Sequence, residues 1–168
     1  MAKLKLELPT DLIKQFGTLE KNSEEIMGKA TKAGAEVAYN NIKKNMSGSF
    51  SSSTKSKMEA GLKITRTYKS PKKETIGNFV GFYGYIPFSD PNRKFFSRKG
   101  AGGTIYKTDK GVPRDFLAQV AEYGTSKVAK KPFIKKSIKR KEIECAMQKV
   151  LDKETEKVIK WMQKLSLY

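Results

Sequence analysis

The feature that most constrains this fold is an apolar stripe with helical spacing between Asn22 and Met46. Its members are Ile26, Ala30, Ala33 and Val37, with Tyr39, Ile42 and Met46 on a neighbouring line. This spacing predicts a long amphipathic helix whose small residues allow close approach to a sheet or another helix. Asn22 and Glu25 form a capping-box pattern that predicts the helix start. A separate short helix is expected from Pro9, ending before Gly17.

Two stretches downstream have the composition of β-strands. Residues 61–69, "GLKITRTYK", alternate apolar and polar side chains, and residues 74–88, "ETIGNFVGFYGYIPF", are rich in aromatic and branched residues. Together they predict an antiparallel pair with its turn at residues 70–73. Gly77, Gly81 and Gly84 interrupt the second stretch, where they indicate curvature, a bulge or the close approach of another chain.

Two polar stretches separate these elements. Residues 47–56, "SGSFSSSTKS", carry little apolar surface and are predicted to be a flexible linker or loop. Residues 89–113 form a connection far longer than the usual loop of about 4 to 6 residues, so it is either functional or disordered. A possible strand, "GGTIYKT", would turn that connection into a two-stranded arm.

The chain closes with an interrupted apolar stripe that predicts one long helix from Pro132 to about Leu165. The stripe consists of Ile138, Ile143, Met147, Val150, Val158, Trp161 and Leu165. The single cysteine, Cys145, is expected to be a small core residue on this helix. The order of helix, strands, loop and helix predicts a single α+β domain over residues 1–168, with 47–56 and 89–113 flexible.

Composition limits the function classes. The chain has 35 Lys and Arg against 17 Asp and Glu, a net charge of +18, which favours polyanions or acidic protein surfaces as partners. It has no histidine, so catalysis by Ser-His-Asp or Cys-His groups and His-based zinc sites are excluded. No signal peptide or membrane span is expected, which predicts a soluble protein made in the cytoplasm.

None of the remaining patterns in the sequence indicates an enzyme either. The segment "KGAGGT" (residues 99–104) lacks the spacing of a phosphate-binding loop. The acidic pairs Glu24–Glu25 and Glu142–Glu144 have abundant lysine nearby and are interpreted as solvated helix faces. We therefore predict no catalytic residue, no cofactor and no metal.

Basic residues cluster after the middle of the chain. Residues 127–141 contain eight basic residues and no acidic one, which suits either contact with phosphates or a solubilising helix start. The candidates for DNA-phosphate contact are Lys130, Lys131, Lys135, Lys136 and Arg140. The long loop interleaves basic residues with Phe95, Phe96 and Tyr106, a mixture that favours docking on a protein partner.

The stretch "AEYGTSKVAKKPFIKKSI" (residues 121–138) contains the most specific pattern. Phe116, Val120 and Tyr123 are expected on the core, Gly124 allows a tight reversal, and Phe133 with Ile134 docks the final helix onto the sheet. Glu122 is a carboxylate at the end of an apolar segment. Pairing with lysine or with free amides of a nearby turn would explain it, and a subunit contact is the alternative.

This pattern, Glu122-Tyr123-Gly124-Thr125-Ser126 followed by Pro132-Phe133-Ile134, resembles the tailed-phage head-to-tail joining and tail-completion proteins, the "gene product ten" family of lambdoid phages. Members read aromatic-Val-Glu-aromatic-Gly-Thr-Ser, then Pro-Phe-Leu or Pro-Phe-Ile. The order of predicted elements, with a leading helix, a Ser/Thr-rich stretch before the strands and a closing helix, is also similar over most of the chain. Specific residues match only from about Glu122 to Ile134.

The resemblance implies a structural virion protein of a phage or prophage that forms a ring, of six copies, at the neck or tail terminus. The implied partners are further copies of itself, the tail-tube or tail-terminator protein and portal-side connector proteins, with non-specific DNA contact in the ring lumen and no membrane. The predicted interface residues are Glu122, Tyr123, Gly124, Thr125, Pro132, Phe133, Phe95, Phe96 and Tyr106. The alternative from composition is a stand-alone basic nucleic-acid-binding protein.

Overall fold

The computed structural model describes residues 10–70, 75–90, 92–98 and 105–165. Its first element, α1, is one continuous helix over Thr10–Asn45, 36 residues long. The expected division into two helices at Gly17 is therefore wrong, and Asn22 lies inside the helix rather than at its start. A glycine within a helix costs only about 1 kcal/mol relative to alanine, which is too little to end an element that is packed elsewhere along its length.

The last helix, α5 (Arg140–Leu165), lies antiparallel along α1. Lys29 bonds Glu154 at 3.0 Å near one end of the pair, and Asn41 bonds Glu142 at 3.1 Å near the other. Between them, a Cβ placed on Gly34 would lie 2.8 Å from Cγ of Met147. The glycine therefore lets the two helices approach closely, as the small residues of the apolar stripe predicted.

After α1 the chain remains helical where a flexible linker or loop was predicted. A 3₁₀ turn occupies Met46–Gly48 and α2 occupies Ser52–Glu59. Met46 and Met58, at either end of this stretch, are fully buried, and the ring of Phe50 packs against the core. These three apolar side chains anchor a segment whose intervening serines carry little apolar surface.

Strands β1 (Leu62–Ile64), β2 (Tyr68–Ser70), β3 (Thr75–Gly77) and β4 (Val80–Phe82) follow. β1 pairs with β4 and β2 with β3, both antiparallel, which confirms the predicted pairing. The hairpin is interrupted midway by Asn78, whose Nδ2 donates to the carbonyl of Thr65 at 3.0 Å while its Oδ1 accepts from Thr31 of α1 at 2.9 Å. This side chain fastens the hairpin to α1.

The long connection contains the predicted two-stranded arm. β5 (Tyr85–Ile86) pairs with β8 (Val112–Pro113), and beyond them β6 (Phe95–Arg98) pairs with β7 (Ile105–Thr108), both antiparallel. Gly111 closes the base with φ +125, and a Cβ there would lie 2.1 Å from the carbonyl oxygen of Ile86. The basic segment 99–104 and most of the 70–73 turn lie outside the described residues.

The chain then forms α3 (Arg114–Tyr123), the single turn α4 (Ile134–Ser137) and α5. The expected uninterrupted helix from Pro132 is wrong, because the chain leaves the helical path at Ile138, where ψ is 83°. Asn41 of α1 donates to the carbonyl of Ser137 at 3.3 Å, so this carbonyl is satisfied without a further helical turn. Cys145 lies on α5 as predicted, but it is exposed rather than in the core.

The core lies where α1, α2, the β1–β4 pair and α3 meet. Its buried members are Ile42, Met46, Met58, Leu62, Ala118, Ala121 and Phe133. The arrangement of a long first helix, small antiparallel sheets and a long closing helix confirms the α+β class. Among the described helices, none combines the length and the apolar character that crossing a bilayer requires.

Candidate assembly interface

The carboxylate of Glu122 organises the most specific sequence pattern. Glu122 is only 5% exposed, and its Oε2 accepts hydrogen bonds from the backbone N–H groups of Phe133 at 2.9 Å and Ile134 at 2.8 Å. Its Oε1 accepts from the N–H of Lys135 at 3.0 Å. These are the free amides at the start of α4, so of the partners expected for Glu122, lysine or the amides of a nearby turn, the structure shows the amides.

Opposing effects set the pKa of Glu122. Burial raises the pKa, because the charged form loses its hydration. The three backbone hydrogen bonds to Lys135, Ile134 and Phe133, together with the charge of Lys135, lower it by more, and the net pKa lies below its ordinary value. Glu122 is therefore ionised at neutral pH, and its charge is satisfied within the chain.

The turn between α3 and α4 is held by backbone contacts. Gly124 adopts φ 75° and ψ −179°, a region that suits glycine, which confirms the expected reversal. A Cβ there would also lie 2.9 Å from the carbonyl oxygen of Val128. The N–H of Thr125 donates to that same carbonyl at 2.8 Å, and the N–H of Lys131 donates to the carbonyl of Ala121 at 2.7 Å. The first of these bonds closes the turn on itself, and the second fixes its far end to α3.

Phe133 completes this arrangement from inside the core. It is 1% exposed, and its ring makes edge contacts with Phe50 at 5.4 Å and with Phe82 at 6.0 Å. Its carbonyl accepts a hydrogen bond from the Ser137 hydroxyl at 2.5 Å. The predicted docking of the Pro-Phe-Ile segment onto the sheet is therefore confirmed through Phe133 and Phe82.

The predicted interface residues of this region divide into two groups. Glu122 and Phe133 are buried within the chain, so in this conformation they support the surface rather than form it. Thr125 is exposed and Pro132 is half-buried. Tyr123 was expected on the core, but it is 68% exposed, because Ala118, Ala121 and Glu122 occupy the buried face of α3. The Nζ atom of Lys135 lies 5.8 Å from the centre of the Tyr123 ring.

The base of the β6–β7 arm carries the other predicted aromatic residues. Phe95 packs edge-on against Phe116 of α3, with ring centres 4.9 Å apart, and this contact fixes the arm to the body. Phe96, the next residue in the strand, is 60% exposed because successive side chains point to opposite faces. Tyr106 lies opposite Ser97 in β7, and its side chain is outside the described residues.

A shallow apolar groove of about 370 Å³ lies between α1, the hairpin and the break before α5. Ala35 and Ala38 contribute from α1, and Val80 from β4. Phe79 and Ile138 stand at its margins with exposures of 61% and 57%. The sequence does not reveal this groove, because Ile138 belongs to the predicted apolar stripe of the final helix and the break that exposes it has no sequence signal.

The structure separates the five basic residues predicted to contact phosphate. Lys130, Lys131 and Lys136 line one groove, whereas Lys135 is directed to the Tyr123 ring. Arg140 bonds Glu144 at 2.6 Å on the surface of α5. The carboxylate of Glu144 raises the pKa of the Arg140 guanidinium, so this arginine stays charged but is already paired.

Arg114, the first residue of α3, has a structural role. Arg114 donates from Nε to the carbonyl of Lys57 at 2.8 Å and from Nη1 to that of Tyr83 at 2.9 Å. A Cβ on Gly61 would lie 2.2 Å from Cδ of Arg114, so the glycine leaves room for this side chain. Within the described residues, no group of three or more potential metal ligands occurs.

Comparison with known families supports the resemblance from an independent part of the chain. Residues 10–84 match the family model HK97-gp10-like, described as "Bacteriophage HK97-gp10, putative tail-component". The match covers α1, α2 and the hairpin, somewhat less than half of the chain, and it ends before Glu122. It confirms the family resemblance for that segment. No curated protein and no solved structure matches the chain significantly.

Proposed function

Since residues 10–84 match the HK97-gp10-like family of phage tail components, we propose that this protein is a structural subunit of a tailed-phage or prophage virion. Its place is the head-to-tail junction or the tail terminus, where copies form a ring, six in number, and complete tail assembly or attachment. Its partners are further copies of itself, the tail-tube or tail-terminator protein and portal-side connector proteins. It acts by binding and carries out no reaction.

The family match is the observation that carries this proposal, and the surface of the matched segment supports it. Tyr68 of β2 and Phe79, which lies in the interruption between β3 and β4, pack with ring centres 6.1 Å apart and are 50% and 61% exposed. Apolar side chains exposed side by side are typical of surfaces that become covered by a partner. With a net charge of +18, association of two copies requires such contacts, because the charges repel.

A ring also needs two different surfaces on each copy, one that protrudes and one that receives, since its contacts run head to tail. The β6–β7 arm, anchored by Phe95 and presenting Phe96, is the protruding element. The apolar groove bordered by Phe79 and Ile138 is the receiving one. We therefore assign the groove to the arm of the next copy, with Tyr123 and Thr125 left for a different protein partner.

The test is the mass of the purified protein by light scattering across concentration, alone and with the tail-tube protein. We expect a defined oligomer, formed alone or on meeting that partner. Burial of one exposed aromatic ring contributes about 2 kcal/mol, so Phe79→Ser or Phe96→Ser should weaken each subunit contact about 30-fold.

Tyr83→Ser is the matched control, because Tyr83 is 46% exposed but lies at the opposite end of the hairpin from Tyr68. It should assemble like the parent. A protein that stays monomeric and binds neither tail-tube nor portal-side proteins would refute the proposal. If that monomer nevertheless bound DNA tightly, a stand-alone nucleic-acid-binding role would replace it.

A further inference from the structure

A second groove, of about 530 Å³, lies between the end of α1, the 3₁₀ turn and the α3–α4 turn, and charged side chains line it instead of apolar ones. Four lysines line it: Lys44 from the end of α1, Lys130 and Lys131 from the turn, and Lys136 from α4. We call it the basic groove. Lys44 lies 86 positions or more from the others in sequence, so the composition of residues 127–141 could not reveal it.

The charge of this groove is not neutralised by the chain itself. No acidic residue lines it, and across the described part of the chain none of the four lysines forms an ion pair. The pKa of Glu142 lies below its ordinary value, chiefly because of its hydrogen bonds from Lys139 and Asn41, and the charge of Lys44 adds a smaller contribution. That carboxylate is already bonded by Lys139 at 2.8 Å and by Asn41 at 3.1 Å.

The walls of the basic groove are fixed before any partner binds. The Ser49 hydroxyl donates to the carbonyl of Lys131 at 2.8 Å and so joins the two walls. Asn45 donates to the Ser137 hydroxyl at 2.9 Å, which holds α4 against α1. Glu122 fixes the amides that follow Pro132. Only the lysine side chains remain to be ordered on binding, which reduces its entropic cost.

The chemistry of the lining favours phosphate over a protein surface. Ammonium groups are among the usual contacts to phosphate oxygens. Protein interfaces instead depend on buried aromatic or aliphatic anchors, and the basic groove offers none beyond Pro132. Since nothing in it is shaped for base edges, contacts would carry no sequence preference.

We propose that the basic groove binds the phosphate backbone of double-stranded DNA through Lys44, Lys130, Lys131 and Lys136. This rests on the proposed function in one respect, since a ring at the head-to-tail junction has DNA passing through it. The proposal changes the set of residues that the sequence predicted to contact phosphate. Lys44 is added, and Lys135 and Arg140 are removed because each is engaged elsewhere.

The experiment measures binding of the full chain to a fluorescent duplex of mixed sequence by anisotropy, over a series of salt concentrations. The test variant combines Lys44→Gln, Lys130→Gln and Lys136→Gln. The control combines Lys32→Gln, Lys63→Gln and Lys149→Gln, which are exposed, lie outside the groove and remove the same charge. Thermal unfolding of both variants checks that the fold is kept.

Each phosphate contact adds about 0.9 to the magnitude of the slope of log affinity against log salt concentration. The test variant lacks three lysines, so the magnitude of this slope should fall by about 2 to 3 and the affinity at 0.1 M salt should fall at least about 30-fold. The control should change affinity by less than about 3-fold. Equal losses in the two variants would overturn the proposal, because binding would then follow net charge alone.

Two competitors identify the ligand. Polyglutamate, at equal charge, should displace the DNA less well than unlabelled duplex DNA does, and displacement as good as that of DNA would overturn the assignment in favour of an acidic protein. Duplex RNA carries the same phosphate charge, so contacts to phosphate alone let it compete as well as DNA does, and displacement better than that of DNA would move the assignment to RNA. Ring formation of the parent and of the test variant is measured separately by light scattering. A parent that assembles but does not bind the duplex, or a test variant that assembles and keeps the affinity of the parent, rejects only this inference.

Discussion

Replacing Glu122 by Gln tests the central contact of the α3–α4 turn without changing its volume. In the parent, two oxygens of one charged group accept three backbone N–H groups, from Phe133, Ile134 and Lys135. The amide of Gln has one oxygen, which can retain the two bonds made by Oε2. Its NH₂ group then faces the N–H of Lys135, donor against donor.

The expected loss follows from these contacts. One buried amide left without an acceptor costs about 1–3 kcal/mol, and the two retained bonds lose about 1 kcal/mol each because the acceptor is no longer charged. Part of this loss is recovered, because the variant no longer has to bury a charged carboxylate. We therefore expect Glu122→Gln to lower the free energy of unfolding by about 2–4 kcal/mol at pH 7.

The assay is urea unfolding followed by circular dichroism, with Glu36→Gln as a control because Glu36 is exposed on α1. A pH series adds a second criterion. The folded pKa of Glu122 lies below its ordinary value of about 4.5, so its stabilisation is present above that pH and is lost as the pH falls through the folded pKa. The gap between parent and variant should narrow below about pH 4.5.

A difference under about 1 kcal/mol at pH 7 would show that the three bonds contribute no more than one ordinary hydrogen bond. A larger difference that persists unchanged at low pH would show that shape rather than charge matters at this position. Either result would refute the reasoning.

Three further substitutions test the packing, each by urea unfolding. Gly124→Ala should cost about 1–3 kcal/mol because of its backbone conformation, whereas Gly48→Ala, where a Cβ meets nothing within 4 Å, should be close to neutral. Gly34→Val should cost about 1–3 kcal/mol by forcing α1 away from Met147, and a stabilised protein would contradict the close packing. Phe133→Ala should cost about 3–5 kcal/mol, and a loss under about 1 kcal/mol would mean that the core closes without it.

Local patterns in the sequence were sufficient for several elements. The apolar stripe from Ile26 to Met46 defined the main part of α1, and β-type composition defined the hairpin and the arm. The odd position of Glu122 indicated a bonded carboxylate, with lysine, the amides of a nearby turn or a subunit contact as its partner, and the structure decided for the amides. These features depend on neighbours along the chain, which is why periodicity and residue type reveal them.

Tertiary structure decided the rest. Gly17 does not break α1 and Ile138 does interrupt the final helix, because packing and the Asn41 contact outweigh local propensity of about 1 kcal/mol. The apolar groove and the basic groove each combine residues far apart in sequence, such as Phe79 with Ile138 and Lys44 with Lys136. A one-dimensional pattern determines which face of an element is apolar or charged, but only the packing of elements determines which faces meet and which remain open.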